Sequence, residues 1–188
     1  HRLAAAALLA VAGLVFGASS AGSVVRGASL RDEVEADVRI PLRVAIAISV
    51  SSLNFNVADA AGYPPPAFPW FWGPPRTASG LFSLSLFSNS PNGFQLTVVP
   101  SGTPPPGLPF TDWFIALGSS ENAPAPARPS GALAGPEWKA LGTGVQLLNV
   151  SGRTTGWDVY NADLVLRFTG DEEPATSTVT LTYTISAS

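Results

Sequence analysis

The chain has 188 residues and a net charge of −3, and only 12% of its residues are charged. Soluble domains usually carry about 25% charged residues, so this chain has roughly half the ordinary share. The sequence has no cysteine, and His1 is its single histidine. This composition excludes disulfides, thiolate metal sites, Ser-His-Asp triads and HExxH zinc sites. The lack of any basic run also argues against nucleic acid as a partner.

The first predicted element is an apolar N-terminal segment. His1 and Arg2 precede the apolar stretch 3–17, small residues follow, and residues 3–25 carry no charge. A basic start, an apolar run and a small-residue exit resemble a secretory signal peptide. The uncharged stretch is also long enough for a membrane-spanning helix of about 20 residues. Both interpretations predict export, and they differ in whether residues 1–22 are removed.

A chain that begins at His1 and keeps this apolar helix resembles type IV pilins and their archaeal relatives, over roughly residues 1–38. In that family a short leader is cut off ahead of a hydrophobic helix that stays. The glutamate near the mature start of bacterial pilins is absent, because position 5 is Ala5. The resemblance implies that the helix packs with copies of itself in a filament core, through Leu3, Leu8, Leu9, Val11, Leu14, Val15 and Phe16.

A second segment alternates strictly between apolar and other residues. From Val34 to Val50 every even position is apolar, which is the period of a half-buried strand. The run is much longer than the usual five or six residues, and Pro41 on the other phase is expected to split it. Either two strands lie in line, or one strand reaches beyond its domain and pairs with a neighbouring subunit. In the second case the candidate donor residues are Val34, Ala36, Val38 and Ile40.

The rest of the chain predicts further strands. Strand patterns occur at 51–57, 81–87, 94–99, 114–117, 145–150, 162–168 and 178–185, and Pro91-Asn92-Gly93 is a strong turn signal. About eight short strands predict a mainly β fold, specifically a two-sheet β-sandwich with Greek-key, Ig-like or jelly-roll-like connections. The segments that carry this pattern resemble exported prokaryotic surface domains. The expected domains are 1–33, the N-terminal hydrophobic α-helix and linker, and 34–188, the β-sandwich.

Proline-rich loops interrupt the predicted strands at 63–75, 100–109 and 124–136. Proline fixes φ and stiffens such loops. Between Val44 and Phe110 only Asp59 and Arg76 are charged, and a surface with so little charge favours association. The aromatic residues of these loops are therefore expected to contact either their own domain or another subunit: Tyr63, Phe68, Trp70, Phe71, Trp72 and Trp113.

Few residues offer chemistry. Asp171-Glu172-Glu173 is expected to form a solvated hairpin loop, although its oxygens also suit calcium. Asp158 and Asp163, near Asn161, are a further candidate cation site. Asn149 begins an Asn-Val-Ser acceptor sequence for N-glycosylation. No catalytic residue, cofactor or metal site is predicted.

The sequence therefore predicts a non-enzymatic subunit of an extracellular filament, with the helix in the core and the β-sandwich as the wall. Its partners are copies of itself, with surface glycans as a further candidate and the membrane only before assembly. One alternative is a fibre subunit with a cleaved signal peptide, whose residues 23–40 insert as a donor strand into the next sandwich. Another is a secreted monomeric carbohydrate-binding or adhesive module that uses Trp70, Trp72, Trp113, Trp138 and Trp157.

Overall fold

The computed structural model describes residues 40–57, 65, 67–131 and 133–188. These residues fall in one compact unit, Ile40–Ser188. Within it lie nine strands: β1 Val44–Ile48, β2 Trp70–Trp72, β3 Phe82–Ser88, β4 Phe94–Gly102, β5 Trp113–Leu117, β6 Lys139–Ala140, β7 Val145–Val150, β8 Asp158–Phe168 and β9 Val179–Ala187. The described ranges contain no α-helix, and a 3-10 turn at Phe110–Asp112 leads into β5. The predicted N-terminal helix lies outside these ranges.

The strands form two antiparallel sheets. Sheet A has the order β1-β3-β8-β5-β6, and the short strand β2 also pairs with β8. Sheet B has the order β7-β4-β9. The 11-residue strand β8 organises sheet A, because β3 pairs with residues 158–162, β5 with 162–166 and β2 with 166–168. The prediction of a mainly β fold is thus confirmed.

One apolar core draws on both sheets. Burial alternates along β3, β4 and β9, so that every second side chain of each strand faces this core. The connection from β3 to β4 turns at Ser90–Gly93, where the Gly93 N–H donates to the Ser90 carbonyl at 3.2 Å. Gly93 has a φ of 100°, and a Cβ there would lie 1.8 Å from the Val150 carbonyl oxygen. Glycine is therefore required at this turn.

Several sequence predictions need correction. The expected strand at 51–57 is wrong: Leu53, Phe55 and Val57 pack half-buried against the core, but no strand forms there. Strands β2 and β6 were not predicted. The predicted hairpin at Asp171–Glu173 is also wrong, since β8 belongs to sheet A and β9 to sheet B. The predicted turn at Pro91-Asn92-Gly93 exists, yet it too joins strands of different sheets. None of the described residues forms a helix long and apolar enough to cross a membrane.

Tyr183 places a buried polar atom in the core. Its ring faces Phe82 from β9, with ring centroids 6.2 Å apart, and its buried hydroxyl has no hydrogen-bond partner among the described residues. Burial raises the pKa of Tyr183 above its ordinary value of 10.0. The folded chain thus keeps a proton that the unfolded chain releases, so stability is retained below about pH 10 and falls as the pH rises further.

The Tyr183→Phe variant is expected to be more stable than the wild type by about 1 kcal/mol at neutral pH, because it removes a buried hydroxyl that makes no hydrogen bond. It should also lose less stability between pH 9 and pH 11. Urea unfolding at both pH values measures this. A destabilised variant would show that the hydroxyl has a partner in solution.

Candidate subunit-contact surface

The first component of the surface is the chain that enters β1. In β1 Ile46 packs against the core, whereas Val44 lines a surface groove and Ile48 is 40% exposed. The even-numbered positions directly upstream of the strand are apolar as well. Among them, Leu42 is 63% exposed and Ile40, a predicted donor residue, is 79% exposed. We call residues 40–43 the overhang.

The overhang is bonded to Asn89, the residue that directly follows β3. The Arg43 backbone N–H donates to Asn89 Oδ1 at 2.6 Å, and Asn89 Nδ2 donates to the Pro41 carbonyl at 2.8 Å. The Asn89 N–H also donates to the Arg43 carbonyl at 3.1 Å. These three bonds fasten the overhang to the end of β3. The other donor residues, Val34, Ala36 and Val38, lie outside the described residues.

The second component is sheet B, whose two edges differ. At the β7 edge, Lys139 Nζ donates to the Gln146 and Leu147 carbonyls at 2.7 and 3.1 Å, and the register with β4 slips at this point. A lysine and a bulge are common devices that prevent an edge from pairing further. The β9 edge has neither. All nine residues of β9 pair with β4, and within the described residues the opposite edge of β9 makes no backbone hydrogen bond.

The strands of sheet B contain no charged residue. Their outer face presents amides, hydroxyls and the half-exposed Val99. On β9 this face is a row of Thr180, Thr182 and Thr184, all exposed. A protein partner that covers such a face does not have to strip water from charges, which is the most costly part of forming a contact. Asn149, the predicted glycosylation site, lies exposed in β7 of the same sheet.

Most of the predicted contact aromatics pack within their own domain. Trp113 is only 6% exposed. The ring of Trp70 meets Phe168 at 5.5 Å, Trp72 meets Phe55 at 6.1 Å and Phe71 meets Phe114 at 5.7 Å between centroids. Phe68 is the described member of the set with the most open side chain, at 49% exposed. Tyr63 lies outside the described residues.

The tryptophans separate into core and surface. Trp138 is 5% exposed, and its Nε1 donates to the Ala127 carbonyl at 3.1 Å. Trp157 is 52% exposed and contacts Phe87 in a tilted arrangement, with ring centroids 6.0 Å apart. The rings of Trp157 and Phe87, together with Arg43, Val44 and Ala45, line an open groove of about 500 Å³. This groove lies directly beside the overhang, to which Arg43 belongs. From the sequence, Trp157 is predicted to behave like the other tryptophans. The glycine-rich segment 152–156 that precedes it was the only sequence feature that distinguished it from them.

Much of the scarce charge is used inside the domain. Asp163 is fully buried in β8. It accepts hydrogen bonds from Arg76 at 2.6 Å and from Arg128 at 2.8 and 2.9 Å. Arg128 also donates to the Gly73 and Pro74 carbonyls, and Arg76 to the Pro126 carbonyl. The three charges therefore fasten two proline-rich loops to β8.

A third ion pair, separate from Asp163, joins Arg167 of β8 to Asp112 in the 3-10 turn. Arg167 also lies 5.5 Å over the centre of the Phe114 ring, a favourable position for a cation on an aromatic face. This pair anchors the start of β5. The three ion pairs neutralise five charged side chains within the domain, so its outer faces carry less unpaired charge than the sequence indicates.

The candidate cation sites gain no support. The described residues contain no group of three or more potential metal ligands, and the Asp163 oxygens already accept from two arginines. Glu172 accepts hydrogen bonds from the Thr169 and Gly170 N–H groups, at 2.5 and 2.9 Å. Burial, and then the charge of Glu121, raises the pKa of Asp158.

Comparison of the chain with protein-family models, with curated proteins and with solved structures gives no match in any of the three. The resemblance to pilins therefore stays a prediction from residues 1–38.

Proposed function

We propose that the chain is a structural, non-enzymatic subunit of an extracellular filament. Residues 1–30 form an apolar helix that packs with copies of itself in the filament core, and the β domain forms the outer wall. The observation that carries this proposal is the overhang: Ile40 and Leu42 are exposed apolar residues at the N-terminal end of the described β domain.

The physical basis is the need of apolar surface for a partner. A helix rich in Ala, Leu and Val that leaves the membrane must be covered again, and identical helices in a helical array supply that cover. The exposed apolar side chains of the overhang also need a partner that covers them. The uncharged strands of sheet B allow neighbouring domains to approach closely along the wall. Contacts of one surface with a different surface of the next copy propagate into a fibre.

We further propose that the two sheets pack face to face as a β-sandwich of the Greek-key, Ig-like or jelly-roll-like kind. Two features support this arrangement. Side chains of both sheets share one core, and the connections from β3 to β4 and from β8 to β9 cross from sheet A to sheet B. Such crossings are typical of Greek-key sandwiches.

The proposal assigns the charged residues a structural role. Asp163 with Arg76 and Arg128, and Asp112 with Arg167, hold loops and strands in place. A rigid wall domain benefits from such internal fastening. Partners are copies of the chain, and its location is the cell surface.

The first test is the intact mass and N-terminal sequence of protein sheared from the surface of cells that express the chain, with negative-stain imaging of the same fraction. Filaments whose subunits retain residues 3–25 are expected. Filaments whose subunits begin near Ser23 would exclude the helical core and leave a strand-based joint. Soluble monomers alone would contradict the filament proposal.

A further inference from the structure

We infer that residues 34–42 of one subunit form a strand that pairs with the outer edge of β9 in the neighbouring copy. Sheet B then gains a fourth strand from its neighbour. This inference rests on the proposed function and specifies where successive β domains join.

The donor side of the joint follows from the phase of the N-terminal segment. The even-numbered phase, which includes the core-packed Ile46 of β1, stays apolar at every even position upstream to Val34. The described part of this extension, the overhang, leaves Ile40 and Leu42 exposed. An apolar alternation whose side chains stay exposed on their own domain is suited to cover the core of another.

The acceptor side follows from the contrast between the edges of sheet B. Lys139 and a register slip block the β7 edge. The β9 edge offers nine residues without charge, proline or bulge, which is a template for a further strand. Its core-facing residues are half-buried rather than buried, so an added strand has apolar surface left to cover: Val179, Leu181, Tyr183 and Ile185.

Length and chemistry match on the two sides. At about 3.3 Å per residue, residues 34–42 and the nine residues of β9 each span roughly 30 Å. Even-numbered donor residues would lie on the core side of sheet B. Glu35, Asp37 and Arg39 would then lie on its outer face, beside the threonine row of β9, where water still reaches them.

The position of the overhang favours pairing between copies. Asn89, directly after β3, bonds to the backbone of Pro41 and Arg43, which places the overhang at that end of β3. That end of the molecule also carries the C-terminus of β9, where Ser90 Oγ donates to the Ser188 carbonyl at 3.2 Å. A segment that paired with its own β9 would have to turn back at the overhang before it enters β1. In the inferred joint the segment pairs with the next subunit instead, and the contact propagates because donor and acceptor are different surfaces.

The absence of native cysteine makes disulfide trapping a clean test in the full chain. The pair Asp37→Cys and Thr182→Cys places one thiol on the donor and one on β9, both on the outer face. The matched control, Asp37→Cys with Gln146→Cys, uses the opposite edge of the same sheet. Neighbouring strands lie about 4.8 Å apart, within disulfide range, whereas the β7 edge is three strands away from the expected donor position. Thr180→Cys and Thr184→Cys cover a shift of register.

On mild oxidation of filaments, the β9 variants are expected to give a covalent ladder of dimers and higher multimers, and the Gln146 variant only monomers. A ladder from Gln146, disulfides confined within single chains, or filaments with no cross-link at any β9 position would overturn the inference. Cross-linked β9 ladders without filaments would instead contradict the proposed function and keep the strand pairing.

A second variant pair tests the apolar phase. Val38→Asp is expected to abolish filaments, because it puts a charge on the core side of the joint, while Asp37→Asn on the other phase leaves filament yield unchanged. Both variants should keep the wild-type unfolding transition. Wild-type filament yield with Val38→Asp, or equal loss from both substitutions, would contradict the inference.

Discussion

Replacement of Asp163 by Asn is expected to lower the free energy of unfolding by about 3 kcal/mol. Asp163 is fully buried, and its carboxylate balances the charges of Arg76 and Arg128. Asn occupies the same volume but leaves two neighbouring guanidinium groups without a counter-charge. Removal of one member from a buried ion pair typically costs about 3–5 kcal/mol. The lower end applies here because both arginine side chains retain some contact with water.

The matched control is Asp158→Asn, the same substitution on the same strand. Asp158 has a raised pKa, caused by burial and by Glu121. A carboxyl whose pKa is raised by folding contributes stability below its unfolded pKa and loses it as the pH rises. Loss of its charge is therefore expected to keep or slightly raise stability at neutral pH. Urea unfolding of both variants at pH 7 decides the point, and equal destabilisation would contradict the role assigned to Asp163.

Trp113→Ala is expected to destabilise the domain by about 3–5 kcal/mol, as removal of a buried aromatic ring usually does. Trp113 contacts Phe55 and Phe110 at centroid distances of 6.1 and 5.6 Å. Its Nε1 also donates to the Leu108 carbonyl at 3.1 Å, which would lose that partner. The cavity and the unpaired carbonyl act in the same direction.

Trp157→Ala serves as the surface control for Trp113→Ala. Its ring is half-exposed and contacts Phe87 alone among the described aromatics, so a loss below about 1 kcal/mol is expected. Thermal unfolding followed by circular dichroism measures both variants. Comparable losses from the two substitutions would show that the division into core and surface tryptophans is wrong.

Strict alternation of apolar and polar residues was the most dependable signal in this sequence, where a strand faces the core with one side only. It predicted β3, β4 and β9, because each strand buries every second residue. The same signal failed at 51–57, where Leu53, Phe55 and Val57 do reach the core but the backbone joins no ladder. Periodicity reports which side chains are buried, and it carries no information on whether a neighbouring strand is present to bond the backbone.

The sheet topology and the ion pairs could not be predicted from the sequence, for a different reason. A turn signal such as Pro91-Asn92-Gly93 fixes a change of direction, but not whether the flanking strands pair or separate into two sheets. The partners of Asp163 lie 35 and 87 residues away, and no local pattern marks them. The strand β2, Trp70–Trp72, has no polar alternation to reveal it.

Only part of the candidate subunit-contact surface could be predicted from the sequence. The apolar phase through Ile40 indicated either two strands in line or one strand that outreaches its domain. The structure gives β1 only over Val44–Ile48, with Ile40 and Leu42 exposed ahead of it. The unequal edges of sheet B were hidden, since the block at β7 depends on a lysine from another sheet. The sequence shows that charged residues are scarce. That the strands of sheet B contain none follows only from the strand order.

The central claim, that this chain is a filament subunit, is tested most directly by electron microscopy of cells that express it, labelled with antibodies against the β domain. The account predicts filaments decorated uniformly along their sides, because every subunit presents its β domain on the outer wall. Label spread over the cell surface without filaments, or found only at the tips of filaments, would contradict it.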